Sequence, residues 1–307
     1  MPAPHVAFER HLVVGPGALG RLLAIRLALS DRAPKVALLG RRPPPRHLQL
    51  VTPEGERLMG DLPGLTAETL ATESGRLVHL TTKAYAAQAA FEAIAPNLTP
   101  DTPVVLWQNG YGIQETLTRQ WSGPVLCAST TEGAYVTGVD EVVHAGHGQS
   151  VLGDLGGEHG ELASALAETL SRAGLPCQAV DDIRVRLWHK LAVNAAINPL
   201  VARFRIRNGQ LRDRPFRPMV ERVVAEVARI MSLEDIPTPP EGWSGRVWQV
   251  VEGTANNRAS MLQDVLAGRP TEREAILGPL LAAATRHTLA CPALESLHRS
   301  SPGPAPE

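Results

Sequence analysis

Cysteine is scarce in this chain. Cys127, Cys177 and Cys291 lie far apart, and no C-x-x-C pair exists. That spacing supports neither a zinc knuckle nor a disulfide framework, and the simplest expectation is reduced thiols in a cytoplasm. Long apolar runs are missing as well: none approaches the ~20 residues that a membrane span needs. Met1 to Arg10 lacks the apolar stretch of a secretory signal. Nor is there an excess of charge of one sign, since 30 Lys and Arg face 31 Asp and Glu for a net charge of -1. Arg41, Arg42 and Arg46 form only a local cluster. A basic face for nucleic acid and a polybasic membrane anchor are therefore not expected. No internal repeat is visible. The expectation is a soluble cytoplasmic protein.

What is present is enough apolar material for substantial cores. The 307 residues are 44% hydrophobic, a length that suits two domains better than one. The first half alternates between short apolar runs and segments of helical period. His11 to Val14, Lys35 to Leu39, Leu77 to Thr82, Val104 to Trp107 and Pro124 to Ala128 read as strands, and Ala18 to Ser30 and Ala84 to Ala95 as helices. This alternation predicts an α/β fold with a doubly wound, mostly parallel sheet. Gly133 to Gly157, rich in Gly, Val and His, reads as antiparallel strands at the sheet edge. Glu158 to Ala173 is helical, and Cys177 to Val180 is the last strand. Beyond about Asp182 the pattern turns helical, with candidates at Arg184 to Val201, Pro215 to Ser232, Val247 to Leu266 and Thr271 to Thr288. The expected organisation is a nucleotide-binding domain over 1–180, an all-helical domain over 181–299 and a Pro-rich disordered tail over 300–307. Met219 to Ile230 could serve a core or a dimer equally, so a monomer and a homodimer both stay open.

Gly15-Pro16-Gly17-Ala18-Leu19-Gly20 follows a strand and opens a helix. In that context G-x-G-x-x-G is a dinucleotide fingerprint. Gly15 permits the tight turn, Gly17 a close backbone approach to the pyrophosphate, and Gly20 the packing of helix on strand. The helix N-terminus offers free N–H groups to phosphate. The second strand ends Leu39-Gly40-Arg41-Arg42. It lacks the carboxylate that would hold a ribose 2′-hydroxyl and carries two guanidinium groups that match a 2′-phosphate. NADP(H) is favoured over NAD(H). Which arginine meets the phosphate stays open, and one of the two is expected to be a solvated loop residue.

Lys190, Asn194 and Asn198 repeat at i, i+4, i+8 within an otherwise apolar helix, so they share one face. Buried amides and a buried ammonium need partners, and a polar ligand in a cleft between domains would supply them. The structural alternatives are that Asn198 caps a helix end before Pro199 and that Asn194 bonds nearby backbone. Further on, Asn256 to Asp264 reads as a helix end. Thr271 with Glu274 matches a capping box, and Glu272 in the first turn suits either the helix dipole or catalysis.

These blocks resemble the ketopantoate reductase (2-dehydropantoate 2-reductase) family over nearly the whole chain. The resemblance rests on Gly15 to Gly20, Thr82-Lys83-Ala84-Tyr85, Gln108-Asn109-Gly110-Tyr111-Gly112, Lys190 to Leu200, and Asn257-x-x-Ser260-Met261-Leu262-Gln263-Asp264 with Thr271-Glu272. It implies a Rossmann-type sheet followed by a helical domain, with NADPH-dependent reduction of 2-dehydropantoate to pantoate. Position by position, it implies Lys190 as proton donor to the keto oxygen and Glu272 as the active-site glutamate. Asn109, Asn194, Asn198 and Ser260 become substrate contacts. Gly15, Pro16, Gly17, Ala18, Leu19, Gly20, Arg41, Arg42, Lys83, Asn109, Asn257 and Glu272 become cofactor contacts. No metal is implied. Two features depart from the family pattern: about ten residues precede the first strand, and Pro43-Pro44-Pro45 stiffens the basic loop between Arg42 and Arg46. The rival readings are an NADP-dependent reductase of another small 2-keto acid and a non-catalytic NADP(H)-sensing protein. The latter would need no Lys190 stripe.

Overall fold

The computed structural model describes residues 8–300. The chain divides into two compact units. The first runs to Gln108 and again from Ile113 to Arg184; the second takes Asn109–Gly112 and the chain from Val185. Residues 301–307 of the expected tail lie outside the described residues.

In the first unit the elements are β1 (Arg10–Val14), α1 (Ala18–Ala28), β2 (Lys35–Leu39), β3 (His47–Val51), β4 (Arg57–Asp61), β5 (Gly64–Leu65), β6 (Arg76–Leu80), α2 (Ala84–Ile94), β7 (Val104–Leu106), α3 (Ile113–Gln120), β8 (Val125–Thr130), β9 (Gly133–Val136), β10 (Glu141–Gly146), β11 (Ser150–Gly153), α4 (Gly160–Arg172) and β12 (Cys177–Ala179). Eight strands form the main sheet in the order β12-β11-β8-β7-β6-β1-β2-β5. It is parallel except where β11 meets β8. The strand order reverses about β1, whose neighbours are β2 and β6. In such sheets ligands bind beyond the carboxyl ends of the strands at this switch point, and the glycine loop follows β1 directly. All five residues of β6 are buried, as a parallel sheet covered on both faces requires.

The Gly133–Gly157 segment departs from expectation. Only β11 joins the main sheet. β9 and β10 leave it and, with β3 and β4, make a separate sheet in the order β4-β3-β10-β9. The reason lies in α1, which is buried almost all round, from Gly20 to Ile25 and at Leu27. A helix apolar on every side needs cover on every side. Leu22, Leu23, Ile25 and Leu27 share one core with Val13, Leu38 and Leu77 of the main sheet and with Leu48, Leu50 and Val142 of the small one.

Helix α5 (Ile183–Phe204) crosses the division. Then follow α6 (Arg217–Leu233), α7 (Gly242–Gly253), α8 (Ser260–Leu266), α9 (Arg273–Arg286) and α10 (Pro292–Arg299). The single helix expected over Val247 to Leu266 is two, broken at 254–259, so Asn256 to Asp264 is a turn and a helix start rather than a helix end. Val220, Val223, Val224, Val227, Ile230 and Met231 of α6 are buried, which assigns that face to the core. Glu226, also buried, accepts the backbone N–H groups of Ala293 and Leu294 at 2.8 and 2.9 Å and so caps α10 from a distance.

Candidate functional site

In the first unit the glycine loop is shaped by three different constraints. Gly15 has φ +110°, and a Cβ there would lie 2.8 Å from the Thr82 nitrogen. At Gly20 a Cβ would overlap the Gly15 carbonyl oxygen and sit 2.6 Å from Thr81 Oγ1. Gly17 is the opposite case, with no protein atom within 4 Å of the Cβ position. Nothing in the fold demands glycine at 17, the position that in dinucleotide loops lets the protein backbone approach a pyrophosphate. No acidic residue occupies the first turn of α1, and no side chain caps it. An uncapped helix N-terminus leaves N–H groups and a positive end dipole available to an anion. Arg21, which sequence reasoning passed over, braces the loop from behind. Its Nε donates to the Pro16 carbonyl at 2.9 Å and its Nη1 to the Gly138 carbonyl at 3.3 Å. The guanidinium is buried, and desolvation lowers its pKa while Asp140 opposes the drop. The available signal was an arginine placed directly after the last glycine of the loop, in a helix otherwise apolar but for Arg26.

Arg41 and Arg42 are exposed beyond β2. Neither has an ion-pair partner among the described residues, whereas Arg46 donates to Asp61 at 2.7 Å. Lys83 is half-buried at the N-terminus of α2. The open space at Gly17, the uncapped N-terminus of α1 and two uncommitted guanidinium groups fit a dinucleotide carrying a 2′-phosphate. Lys83 lies just beyond β6, which neighbours β1.

In the second unit the polar stripe lies on α5. Lys190 and Asn194 are half-buried and Asn198 is buried. The helix runs through Pro199 to Phe204, so Asn198 is not a cap. Apolar burial on both sides of Pro199 holds the helix together despite the lost hydrogen bond. No hydrogen bond of the Asn194 or Asn198 side chain within the protein is found among the described residues. Burial pushes the Lys190 ammonium down to about 8, and the nearby Glu272 carboxylate acts in the opposite sense.

Glu272 is 5% exposed. It occupies the N-cap position of α9 without capping it. The capping box expected from Thr271 and Glu274 does not form, because the helix begins at Arg273 and the register shifts. Glu274 instead meets His298 at 2.6 Å. Asn109 reaches Glu272 through Nδ2–H to Oε2 at 3.4 Å. The loop delivering Asn109 is pinned on α9. Gly110 has φ +86° and so little room that a Cβ would overlap the Ala275 carbonyl, while the Tyr111 N–H donates to that carbonyl at 3.0 Å. The Tyr111 ring leans on Trp188, 5.2 Å between centroids. Lys190, Glu272 and Asn109 thus form one cluster. Ser260, at the start of α8, and Asn257 in the preceding turn are exposed. No hydrogen bond joins either to that cluster among the described residues.

Two family models match the chain. "Ketopantoate reductase PanE/ApbA" covers residues 11–157, and "Ketopantoate reductase PanE/ApbA C terminal" covers 182–301. The chain belongs to the ketopantoate reductase family. A 2-dehydropantoate 2-reductase of Vibrio cholerae is 33% identical over 94% of this chain and 95% of its own. The 2-dehydropantoate 2-reductase of Geobacter metallireducens superposes with a TM-score of 0.84 at 25% identity, over 94% of this chain and 97% of that one. D-mandelate dehydrogenase with NADH and anilino(oxo)acetate gives the same TM-score at 24% identity, over 94% and 96%, which shows a shared fold. Like other ketopantoate reductases, this chain is an NADP-dependent oxidoreductase by family. No helix among the described residues is long and apolar enough to cross a membrane.

Proposed function

We propose that this protein reduces 2-dehydropantoate to pantoate with NADPH, Lys190 acting as the proton donor. The observation that carries the reading is the Lys190 ammonium, held at a pKa of about 8 beside Glu272 on a helix whose next two turns carry Asn194 and Asn198. Gly15 to Gly20 hold the pyrophosphate, the Arg41–Arg42 pair offers the 2′-phosphate its guanidinium partner, and Lys83, Asn109, Asn257 and Glu272 complete the cofactor contacts. When bound, NADPH supplies a hydride to the keto carbon.

The remaining chemistry belongs to side chains. As charge develops on the keto oxygen, the Lys190 ammonium stabilises it and donates a proton to it. Glu272 favours the charged form of that ammonium and, through its oxygen, orients the Asn109 amide. Asn194, Asn198 and Ser260 bind and orient the acid and hydroxyl ends of the substrate. In this division of labour residues 1–180 supply most of the nucleotide contacts and 181–299 most of the substrate contacts, with Asn109, Asn257 and Glu272 as the exceptions. The oligomer is a monomer or a homodimer.

Replacing Lys190 by Ala tests the assignment. We expect kcat to fall on the order of 10²–10⁴-fold, with NADPH binding, followed by fluorescence, retained. A near-normal kcat would remove Lys190 from the mechanism. Assays of 2-dehydropantoate against a panel of branched 2-keto acids test the substrate; equal kcat/KM across the panel would overturn the pantoate reading.

A further inference from the structure

The three prolines after Arg42 are unexplained by the site as described, and their surroundings show what they do. Pro44 is buried, although Arg41, Arg42, Pro43 and Arg46 around it are exposed. It seats against Gly64 of β5 so closely that a Cβ at 64 would overlap the Pro44 carbonyl oxygen and sit 3.3 Å from Pro44 Cδ. β5 is itself locked to β2, with Leu38↔Gly64 and Leu39↔Leu65 in register and the Gly40 N–H donating to the Leu65 carbonyl at 3.0 Å. At the far end of the strut the Leu62 N–H donates to the Arg46 carbonyl at 2.9 Å, and the Arg46 side chain is held by Asp61. At the near end Gly40 is wedged. A Cβ there would lie 2.8 Å from the Arg42 carbonyl oxygen and 3.0 Å from Pro16 Cγ of the phosphate loop.

Arg41 and Arg42 thus occupy the one free stretch of a loop tied at both ends. Proline fixes φ at 43, 44 and 45, and Pro43 confines Arg42 to extended backbone. A loop with so few accessible conformations loses little entropy when its guanidinium groups are ordered on an anion. Gly64 is what lets the strut lie down.

We propose that the Pro43–Pro45 strut, seated in the notch at Gly64, pre-sets Arg41 and Arg42 for a 2′-phosphate, which makes Gly64 a specificity-determining positioning residue. The inference rests on the reading of those two arginines as 2′-phosphate ligands. The test is calorimetric binding of 2′,5′-ADP and 5′-AMP to the full chain, independent of turnover. Arg41→Ala with Arg42→Ala should erase the preference for 2′,5′-ADP. If the preference survives, the phosphate reading fails and the strut has nothing to position. Gly64→Ala should weaken 2′,5′-ADP about five-fold and leave 5′-AMP unchanged. Because that substitution touches β5, the triple variant Pro43→Ala, Pro44→Ala, Pro45→Ala provides a second route that leaves β5 intact, and the same selective loss is expected of it. A lost preference in the double arginine variant, combined with wild-type 2′,5′-ADP affinity in both Gly64→Ala and the triple proline variant, would overturn the strut and leave the arginines standing.

Discussion

As the proposed proton donor, Lys190 would have to be charged to protonate an alkoxide and poorly solvated to do it well, and the two demands oppose each other. Burial alone favours the neutral amine, while Glu272 restores part of the charge. Reduction should therefore be fastest below the Lys190 pKa of about 8 and decline as pH rises through it, with kcat at pH 9 about ten-fold below that at pH 7. Glu272→Gln removes the opposing carboxylate, so the alkaline limb should move to lower pH. A pH profile of kcat checks this, and an unmoved limb would show that Glu272 does not act through Lys190. At this scale the sequence was informative where spacing sufficed: an i, i+4, i+8 polar stripe needs no tertiary knowledge. The pairing of Asn109 with Glu272 had no such signal, because it depends on a loop from far upstream in the chain docking on α9.

At the scale of the element, the glycine loop separates fold from function. Gly20 is required by packing, so Gly20→Ala should cost about 1–3 kcal/mol of stability, as overpacked sites do. Gly17 is required by nothing in the fold. Gly17→Ala should keep Tm within about 2 °C of the parent while weakening NADPH on the order of ten-fold or more. Thermal melts and fluorescence titration on the two variants check both; a Gly17→Ala protein with intact NADPH affinity would mean the pyrophosphate lies elsewhere. Element boundaries were the less legible part. The capping box at Thr271 was a sound local reading that the register of α9 overrode, and the structural alternative of a helix end at Asn198 did not hold. In the first case α9 starts at Arg273; in the second apolar contacts carry α5 through Pro199. The strut at Pro43–Pro45 was visible as composition, but its notch at Gly64 was not.

Across the whole chain, the most unusual feature of the main sheet is a pair of buried histidines on adjacent strands. Trp107 Nε1–H donates to His79 Nδ1 at 3.2 Å, which leaves His79 Nε2–H to donate to His11 Nδ1 at 2.8 Å. Burial holds His11 down to about 4 and His79 well below its ordinary value. Since the unfolded chain protonates these rings near 6.5, the stability they contribute is present above that pH. It is lost as pH falls from about 6.5 toward 4, by about 3 kcal/mol for His11 alone. Urea unfolding at pH 7 and pH 4.5 should show this loss. A His11→Phe, His79→Phe double variant should lose less stability over the same range; an undiminished loss would place the pH dependence elsewhere.

By itself the sequence determined the α/β-then-helical order, the glycine turn between β1 and α1 and the expectation of an NADP(H) cofactor. Each of these is written in local period, in glycine spacing or in the residues at a strand end, and local rules decide them. Only the tertiary structure decided that β9 and β10 leave the main sheet to cover α1, that Asn109–Gly112 group with the helical residues, and that Glu272 meets Lys190 and Asn109. Each of these is a contact between segments far apart in the chain, chosen by which surfaces bury apolar area and satisfy polar groups together. No window of neighbouring residues contains that information.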